Sequence, residues 1–266
     1  MTILRNPTQE ELVKVIHTNR NEFFKSVWNT FDAKVIKKEN YSFYITGIPI
    51  DLLNAVIYTC RNSELISIID EIISFASEKE IPFRFHVKLD DDRKKLLEEL
   101  TNRGFIFQTH PGMVLDLNKL EKTKLNLDNK KIVKVKSKKE MELVKDVIVK
   151  VYAETENEAK LWERHVTSTT KNPQHNLYLA LLNEEPVGVS EVCYYNGVAG
   201  IYTVGTISEA RGKGIGTTIT KAPLFDAKEL GFEWALLHSS EMGYNVYKKI
   251  GFQELGPYTI ARWIPE

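Results

Sequence analysis

Residues 200–217 read GIYTVGTISEARGKGIGT. This stretch begins with a β-prone apolar run (Ile201, Tyr202 and Val204) and continues through a glycine-rich turn into apolar residues at helical spacing. The pattern predicts a strand, a glycine turn and a helix. The first amides of a helix lack partners and carry partial positive charge, and glycines allow a bulky anion to approach them. The stretch therefore predicts a phosphate or pyrophosphate site.

The spacing of the glycines separates this loop from two common phosphate loops. Gly212, Gly214 and Gly216 occupy every second position, which fits neither the Walker pattern nor the dinucleotide pattern G-x-G-x-x-G. The pattern present is R-x-x-G-x-G, from Arg211 to Gly216. A tight strand-to-helix turn without a ligand is the structural alternative.

Composition narrows the class of protein. The chain has 266 residues and a formal net charge of +0, so it has no electrostatic footprint for nucleic acid or an anionic membrane. Cys60 and Cys193 lie far apart in apolar runs and are predicted to be buried thiols. The N-terminus has no apolar signal core. We expect a cytoplasmic protein with no metal site and no nucleic-acid or membrane partner; the sequence does not indicate an oligomeric state.

The first half alternates predicted helices and strands. Thr8 and Glu11 have the spacing of a capping box, and Ser63 is predicted to cap a later helix. Helices are predicted at 7–31, 63–77 and 91–102, and strands at 33–38, 41–46, 54–60, 82–89, 105–108 and 113–117. The polar segment 118–130 is the predicted domain boundary.

The second half shows a similar alternation. Helices are predicted at 138–152, 214–230 and 241–250, and strands at 131–136, 177–183, 187–195, 201–206, 232–239 and from 252 towards Trp263. Residues 154–170 fit either a helix or a substrate loop. Pro223 predicts a kink because it removes a backbone hydrogen bond inside a helix.

Both halves end in the same way. Gly104-Phe105 closes a helix and starts a strand, and Gly251-Phe252 does the same in the second half. Counting back from each pair, residues 61–63 fall near the position of residues 211–213. We therefore predict two copies of one α/β unit, at 1–120 and 130–266, with the glycine loop eroded in the first copy. Coincidence of common α/β elements is the alternative.

The second half resembles the GNAT superfamily of acyl-CoA N-acyltransferases. The resemblance rests on VGTISEARGKGIGT (204–217) and on the downstream Y-x-x-x-G-F pattern from Tyr247 to Phe252. It covers residues 131–263, and the first half is similar to a degenerate GNAT domain. The resemblance implies an α/β fold with two GNAT-like mixed-sheet units in tandem, of which the C-terminal one is complete.

The resemblance also implies a site for acetyl-CoA as co-substrate. Loop amides would hold its pyrophosphate, the end of the preceding strand would pair with pantetheine beside a bulge, and Tyr247 would protonate the departing thiolate. Arg211 would either organise the turn or contact phosphate. The residues implied to bind acetyl-CoA are Val204, Gly205, Thr206, Arg211, Gly212, Lys213, Gly214, Ile215, Gly216, Thr217 and Ser240.

Two positions depart from the family pattern. Ser240 stands where the family often has an asparagine, and Gly200 stands where some members have a glutamate general base. Glu191 is the first candidate for a substitute base, as a half-buried carboxylate with a raised pKa. His238, Glu241 and water are the other candidates.

The function implied is transfer of an acetyl group from acetyl-CoA to an amine of a small molecule or peptide, by direct attack in a ternary complex. A catalytically weak acyl-CoA sensor or regulatory module is the alternative, favoured by the missing base and Ser240. A nucleotide-binding protein unrelated to coenzyme A is a third, more distant reading.

Overall fold

The computed structural model describes residues 2–122, 124–125 and 129–265. The helices are α1 (Gln9–Thr30), α2 (Asn62–Ser77), α3 (Arg93–Thr101), α4 (Lys138–Tyr152), α5 (Glu156–Thr169), α6 (Ile215–Glu229) and α7 (Glu241–Ile250). The strands are β1 (Lys34–Lys37), β2 (Tyr41–Ile45), β3 (Asn54–Tyr58), β4 (Phe83–Val87), β5 (Ile106–Asp116), β6 (Lys130–Lys134), β7 (His175–Leu182), β8 (Glu185–Tyr195), β9 (Val198–Thr206), β10 (Trp234–His238) and β11 (Gln253–Trp263). Within the described ranges, none of the helices combines the length and apolar composition that crossing a bilayer requires.

The chain divides into two compact units. Unit 1 comprises Met1–Phe23 and Pro111–Gly256, and unit 2 comprises Phe24–His110 and Pro257–Glu266. These bounds differ from the predicted domains at 1–120 and 130–266, because each sheet takes its last strand from the other half of the sequence. The predicted boundary segment 118–130 includes residues 123 and 126–128, which lie outside the described residues.

Unit 2 contains a five-stranded mixed sheet in the order β1-β2-β3-β4-β11. The β3/β4 pair is parallel, and the other neighbouring pairs are antiparallel. Residues 259–263 of β11 pair with β4, so a strand from the second half of the sequence completes this sheet. Its core contains Phe43, Phe83 and Phe85 together with Leu65 and Ile69 of α2.

Unit 1 contains a six-stranded mixed sheet in the order β5-β10-β9-β8-β7-β6. The β9/β10 pair is parallel and the other pairs are antiparallel. Residues 112–116 of β5 pair with β10. Both units therefore share one design, in which a parallel pair is followed by an antiparallel strand from a distant part of the chain. The α/β fold with two mixed-sheet units is confirmed.

Alternation along the strands of unit 1 places helices on both faces of its sheet. Val114 and Leu236 pack with Leu12 and Ile16 of α1. The adjacent residues Leu115 and Leu237 belong instead to the cluster that contains α6 and α7. A further cluster joins α4 and α5 to β7 and β8.

Three local predictions have clear outcomes. Thr8 accepts a hydrogen bond from the Glu11 amide at 3.2 Å, which confirms the predicted cap of α1. Residues 105–108 and 113–117 were predicted as separate strands, but they belong to one continuous strand, β5. Ser63 does not cap α2, because the helix begins one residue earlier, at Asn62.

α6 continues through Pro223 because a neighbouring hydroxyl replaces the missing hydrogen bond. Proline has no N–H to donate to the carbonyl four residues earlier, which belongs to Ile219. Ser190 on β8 donates its hydroxyl to that carbonyl at 2.8 Å, in a buried position. The buried carbonyl is therefore satisfied, as buried polar groups require.

Candidate active site

The glycine turn of unit 1 joins β9 to α6 and bends through left-handed backbone. Gly212 has φ +75° and Gly214 has φ +77°, which L-residues with side chains rarely adopt. Gly214 is the N-cap of α6 and offers no side chain to its first amides. In α4, α5 and α7 the N-cap side chain accepts a hydrogen bond from a helix amide. The start of α6 can therefore accept an external anion.

A cavity of about 620 Å³ lies in front of this helix start. Its volume falls in the range of ligand pockets, roughly 300–1,000 Å³. The predicted site residues among those lining it are Val204, Gly205, Thr206, Arg211, Gly212, Gly214, Ile215, Gly216, Thr217, Ser240 and Tyr247. The structure thus brings the end of β9, the glycine turn and α7 to one cavity. Lys213 and Glu191 are not among its lining residues.

The two cationic residues of the loop have different roles in the structure. Arg211 lines the cavity, and its Nε donates to the Thr206 carbonyl at 3.3 Å, which ties the turn together. The Lys213 Nζ donates to the Glu209 carbonyl at 2.9 Å. Lys130, which the sequence did not single out, donates from Nζ to the Lys213 carbonyl at 2.8 Å. Its ammonium group therefore lies beside the glycine turn.

Tyr247 lies in α7 with its side chain directed at the cavity. A Cβ on Gly243 would come within 2.7 Å of the Tyr247 ring, so glycine at that position leaves room for the ring. The Tyr247 carbonyl accepts from the amides of Gly251 and Phe252, and Gly251 has φ +116°. The Y-x-x-x-G-F pattern therefore holds the end of α7 and positions the tyrosine. Burial raises the pKa of Tyr247 to about 12, so its hydroxyl remains protonated at neutral pH.

The strand that leads into the loop contains a β-bulge. Val189 lies opposite Gly205 and Glu191 lies opposite Tyr202, so Ser190 faces both Thr203 and Val204. The family resemblance implied a bulge in this strand, and the extra residue lies just before Gly205. A Cβ on Gly205 would come within 2.6 Å of Val151 and 3.2 Å of Tyr152, so this glycine admits close packing of α4.

Ser240 borders the cavity while serving as the N-cap of α7. Its Oγ accepts from the Gly243 amide at 3.2 Å. Position 200, where a glutamate base was considered, has no room for a side chain, because a Cβ there would overlap Oδ1 of Asn19. Asn19 is fully buried, and this oxygen accepts from the Tyr202 hydroxyl at 2.8 Å.

Glu191 requires a correction. The sequence predicted a half-buried carboxylate with a raised pKa, but the side chain has 0% exposure. Burial raises the pKa of the Glu191 carboxyl, but the charges and hydrogen bonds of His165 and His175 lower it by a larger amount. The net pKa therefore lies below its ordinary value. The carboxylate is enclosed by donors and does not border the cavity, which denies it the access a general base needs.

Sequence reasoning missed several lining residues, because their signal is tertiary. These are Val151, Tyr152, Ala210, Thr220, Met242, Gly243, Asn245, Val246 and Lys249. Lys249, two residues after Tyr247, was the most accessible to prediction, because a cation beside an anion site has a direct rationale. The described lining residues include no carboxylate and no imidazole; His238 and Glu241, the other candidates for a base, are also absent from them.

Comparison with known proteins connects this geometry to a family. Residues 141–252 match the family model described as Acetyltransferase (GNAT) family. No curated protein sequence matches the chain.

Solved structures share the fold over most of the chain. A GCN5-related N-acetyltransferase from Kribbella flavida is 14% identical with a TM-score of 0.67, covering 92% of this chain and 95% of its own. A functionally unknown conserved protein from Staphylococcus epidermidis ATCC 12228 is 17% identical with a TM-score of 0.65, and the match covers 89% of this chain and 96% of that protein. A tandem GNAT protein from the clavulanic acid biosynthesis pathway is 13% identical with a TM-score of 0.61, covering 86% and 81%. At these identities the similarity establishes the fold.

Proposed function

We propose that this chain, whose residues 141–252 match the GNAT acetyltransferase family model and whose fold is similar to that of a tandem GNAT protein, transfers an acetyl group from acetyl-CoA to an amine. The acceptor is an amine of a small molecule or a peptide. One observation carries this proposal: the start of α6, which has no side-chain cap, and Tyr247, which supplies a hydroxyl, line the same cavity.

In this proposal the pyrophosphate of acetyl-CoA binds at the start of α6. The amides of Ile215, Gly216 and Thr217 are the first of the helix, and the partial positive charge there favours an anion. Lys249 adds a cation at the cavity, and Lys130 adds one beside the turn. Arg211 holds the turn through the Thr206 carbonyl. The pantetheine arm runs along the backbone of residues 204–206, with Ser240 on the opposite side.

The chemistry is a direct acyl transfer. The amine nitrogen attacks the thioester carbonyl carbon, and a backbone amide of Val204 or Gly205 stabilises the oxyanion. When the C–S bond breaks, the sulfur takes the electron pair and the Tyr247 hydroxyl supplies its proton. The proton lost by the amine passes to water, because the described lining residues offer no carboxylate or imidazole. Water then restores the Tyr247 proton.

The same lack of a base favours one second candidate, an acyl-CoA sensor that binds without turnover. The two functions differ in one measurement. The enzyme releases free thiol from acetyl-CoA when an acceptor amine is present, whereas the sensor binds acetyl-CoA and releases none with any amine.

The test combines titration calorimetry of acetyl-CoA with an amine screen that detects thiol release. We expect binding and amine-dependent thiol release in the native protein. Tyr247→Phe should retain binding and lose about 100-fold in kcat, the lower range of general acid contributions. The absence of acetyl-CoA binding to the folded native protein would refute the proposal.

Tyr244→Phe is the matched control on the same helix. The Tyr244 hydroxyl donates to Glu254 at 2.9 Å, and Tyr244 does not line the cavity. The control should therefore keep kcat close to that of the native protein. An equal loss in both variants would assign the effect to damage of α7 and would remove Tyr247 from the proposed chemistry.

A further inference from the structure

The bulge in β9 places a β-branched residue in left-handed backbone. Thr203 has φ +50°, which is a strained conformation for a residue branched at Cβ. The next residues, Val204 and Gly205, line the cavity and supply the backbone that faces the proposed thioester. Such a conformation persists only where the surrounding structure fixes it. The groups that fix Thr203 therefore determine where this backbone lies.

One buried carboxylate holds the Thr203 side chain. The Thr203 Oγ1 donates to Glu191 Oε2 at 3.1 Å. His165 Nε2 donates to the same oxygen at 2.8 Å, and His175 Nδ1 donates to Oε1 at 2.7 Å. Thr169 Oγ1 donates to Oε1 at 3.3 Å. Donors from α5 and β7 thus immobilise the carboxylate to which the bulge is attached.

A second layer of contacts fixes the histidine on β7. His175 Nε2 lies 3.0 Å from the Tyr195 hydroxyl, which in turn accepts from Asn172 Nδ2 at 3.1 Å. With Nδ1 bound to Glu191, the other ring nitrogen of His175 is held by the Tyr195 hydroxyl. Phe23 stacks on Tyr202 at 4.1 Å and on His175 at 5.9 Å between ring centroids. These contacts enclose Glu191 on the sheet face that carries α1 and α5.

We propose that Glu191 is a positioning residue that acts through Thr203, holding the bulge so that the backbone of Val204 and Gly205 faces the thioester. This inference rests on the proposed function, since it assigns a purpose to the bulge in that reaction. It also accounts for a buried carboxylate with four donors that does not border the cavity. Neither oxygen of Glu191 contacts a substrate in this role.

Two threonine hydroxyls that donate to Glu191 allow a matched test. Thr203→Val removes the hydroxyl on the bulge, and Thr169→Val removes the equivalent donor on α5. Thr203→Val should lower kcat at least about tenfold with a smaller change in KM for acetyl-CoA, because misplacing a reacting group reduces the rate of the chemical step. Thr169→Val should lower kcat by less than about threefold, because the shorter contacts from His165 and His175 still hold Glu191 and the Thr203 contact stays in place. Thr203→Ser keeps the hydroxyl and should recover most of the rate lost in Thr203→Val.

A second readout does not depend on activity. Hydrogen exchange of the Val204 and Gly205 amides, measured without ligand, should be faster in Thr203→Val than in Thr169→Val. Equal exchange and equal kcat in the two variants would overturn the positioning role and leave the Glu191 cluster as packing alone. Failure of the native protein to bind acetyl-CoA would instead refute the proposed function and the purpose assigned to the bulge, while the exchange comparison would still report whether Glu191 holds it.

Discussion

Gly214 and Gly104 form a matched pair for testing the anion site. Both have φ +77°, and an added Cβ would meet only Lys130 Nζ at 3.8 Å in the first case and no atom within 4 Å in the second. Replacing either glycine by alanine forces an L-residue into left-handed backbone, which destabilises the folded state by roughly 1–2 kcal/mol. Alanine also reduces the conformational entropy of the unfolded chain, which offsets about 0.4–1 kcal/mol of that loss. We expect each variant to lose about 1 kcal/mol of unfolding free energy.

The two variants should differ in acetyl-CoA affinity. Gly214 borders the cavity at the N-cap of α6, so its new methyl group occupies space that the pyrophosphate would need. Losing one charge-assisted hydrogen bond costs about 1.5–3 kcal/mol, which corresponds to roughly tenfold to one hundredfold in Kd. Gly104 lies in the turn after α3 in unit 2, so its replacement should leave Kd unchanged.

Titration calorimetry gives Kd for each variant, and urea denaturation gives its unfolding free energy. A Gly214→Ala protein that binds acetyl-CoA within about twofold of the native Kd would refute the placement of the pyrophosphate at α6. Equal losses of affinity in both variants would instead attribute the effect to general destabilisation.

Three further predictions concern the fold and the reaction. Ser190→Ala should lower the free energy of unfolding by about 1–3 kcal/mol, because it leaves the buried Ile219 carbonyl without a donor. In a Pro223→Ala background the new amide can donate to that carbonyl, so the same change should cost less than half as much. Urea denaturation measures both losses, and equal losses in the two backgrounds would contradict this. Asp51, buried between Arg84 and Arg262, has a pKa below its ordinary value because burial is outweighed by the Arg262 hydrogen bond and the charges of both arginines. The stability that the Asp51 carboxylate contributes is therefore present above about pH 4 and is lost as the pH falls further. Asp51→Asn should lower the free energy of unfolding by about 3–5 kcal/mol at pH 7 and should remove this pH dependence. An acid denaturation curve of the variant that matches the native curve would argue against this role of Asp51. The logarithm of kcat/KM should rise with pH as the acceptor amine loses its proton. It should show no decrease up to about pH 10, because the pKa of Tyr247 is about 12. A decrease that begins near neutral pH would exclude Tyr247 as the acid.

Local signals in the sequence were sufficient for several elements. The α4 and α7 bounds agree with the predictions because each helix has a side-chain cap at its start, Ser137 and Ser240, and α7 ends at a glycine. The glycine turn is where R-x-x-G-x-G placed it, since positive φ at Gly212 and Gly214 is a property of the local backbone. Residues 156–169, left open between helix and loop, form a helix whose capping box, Thr155 with Glu158, was present in the sequence.

Interactions between distant residues were beyond sequence reasoning. Glu191 is bound by His175 and by His165, which come from a strand and a helix with no shared motif. Asn19 fills the space at Gly200 across more than 170 positions of sequence. The exchange of final strands between the halves has the same origin, because strand pairing depends on partners that a local pattern does not specify.

The two units use the start of the corresponding helix in opposite ways. In unit 2 the helix is α2, and the amide of its first residue, Asn62, donates to the Asp90 carboxylate at 3.1 Å. The Asn62 side chain is fully buried, with its Oδ1 accepting from Tyr58 at 2.7 Å and its Nδ2 donating to the Lys88 carbonyl at 3.1 Å. Unit 2 thus supplies its own anion at a turn without glycine. In unit 1 the turn has glycines and no side-chain cap, so the first amides of α6, with their partial positive charge, can bind an anionic ligand. The same helix geometry stabilises the fold in one unit and is available for binding in the other.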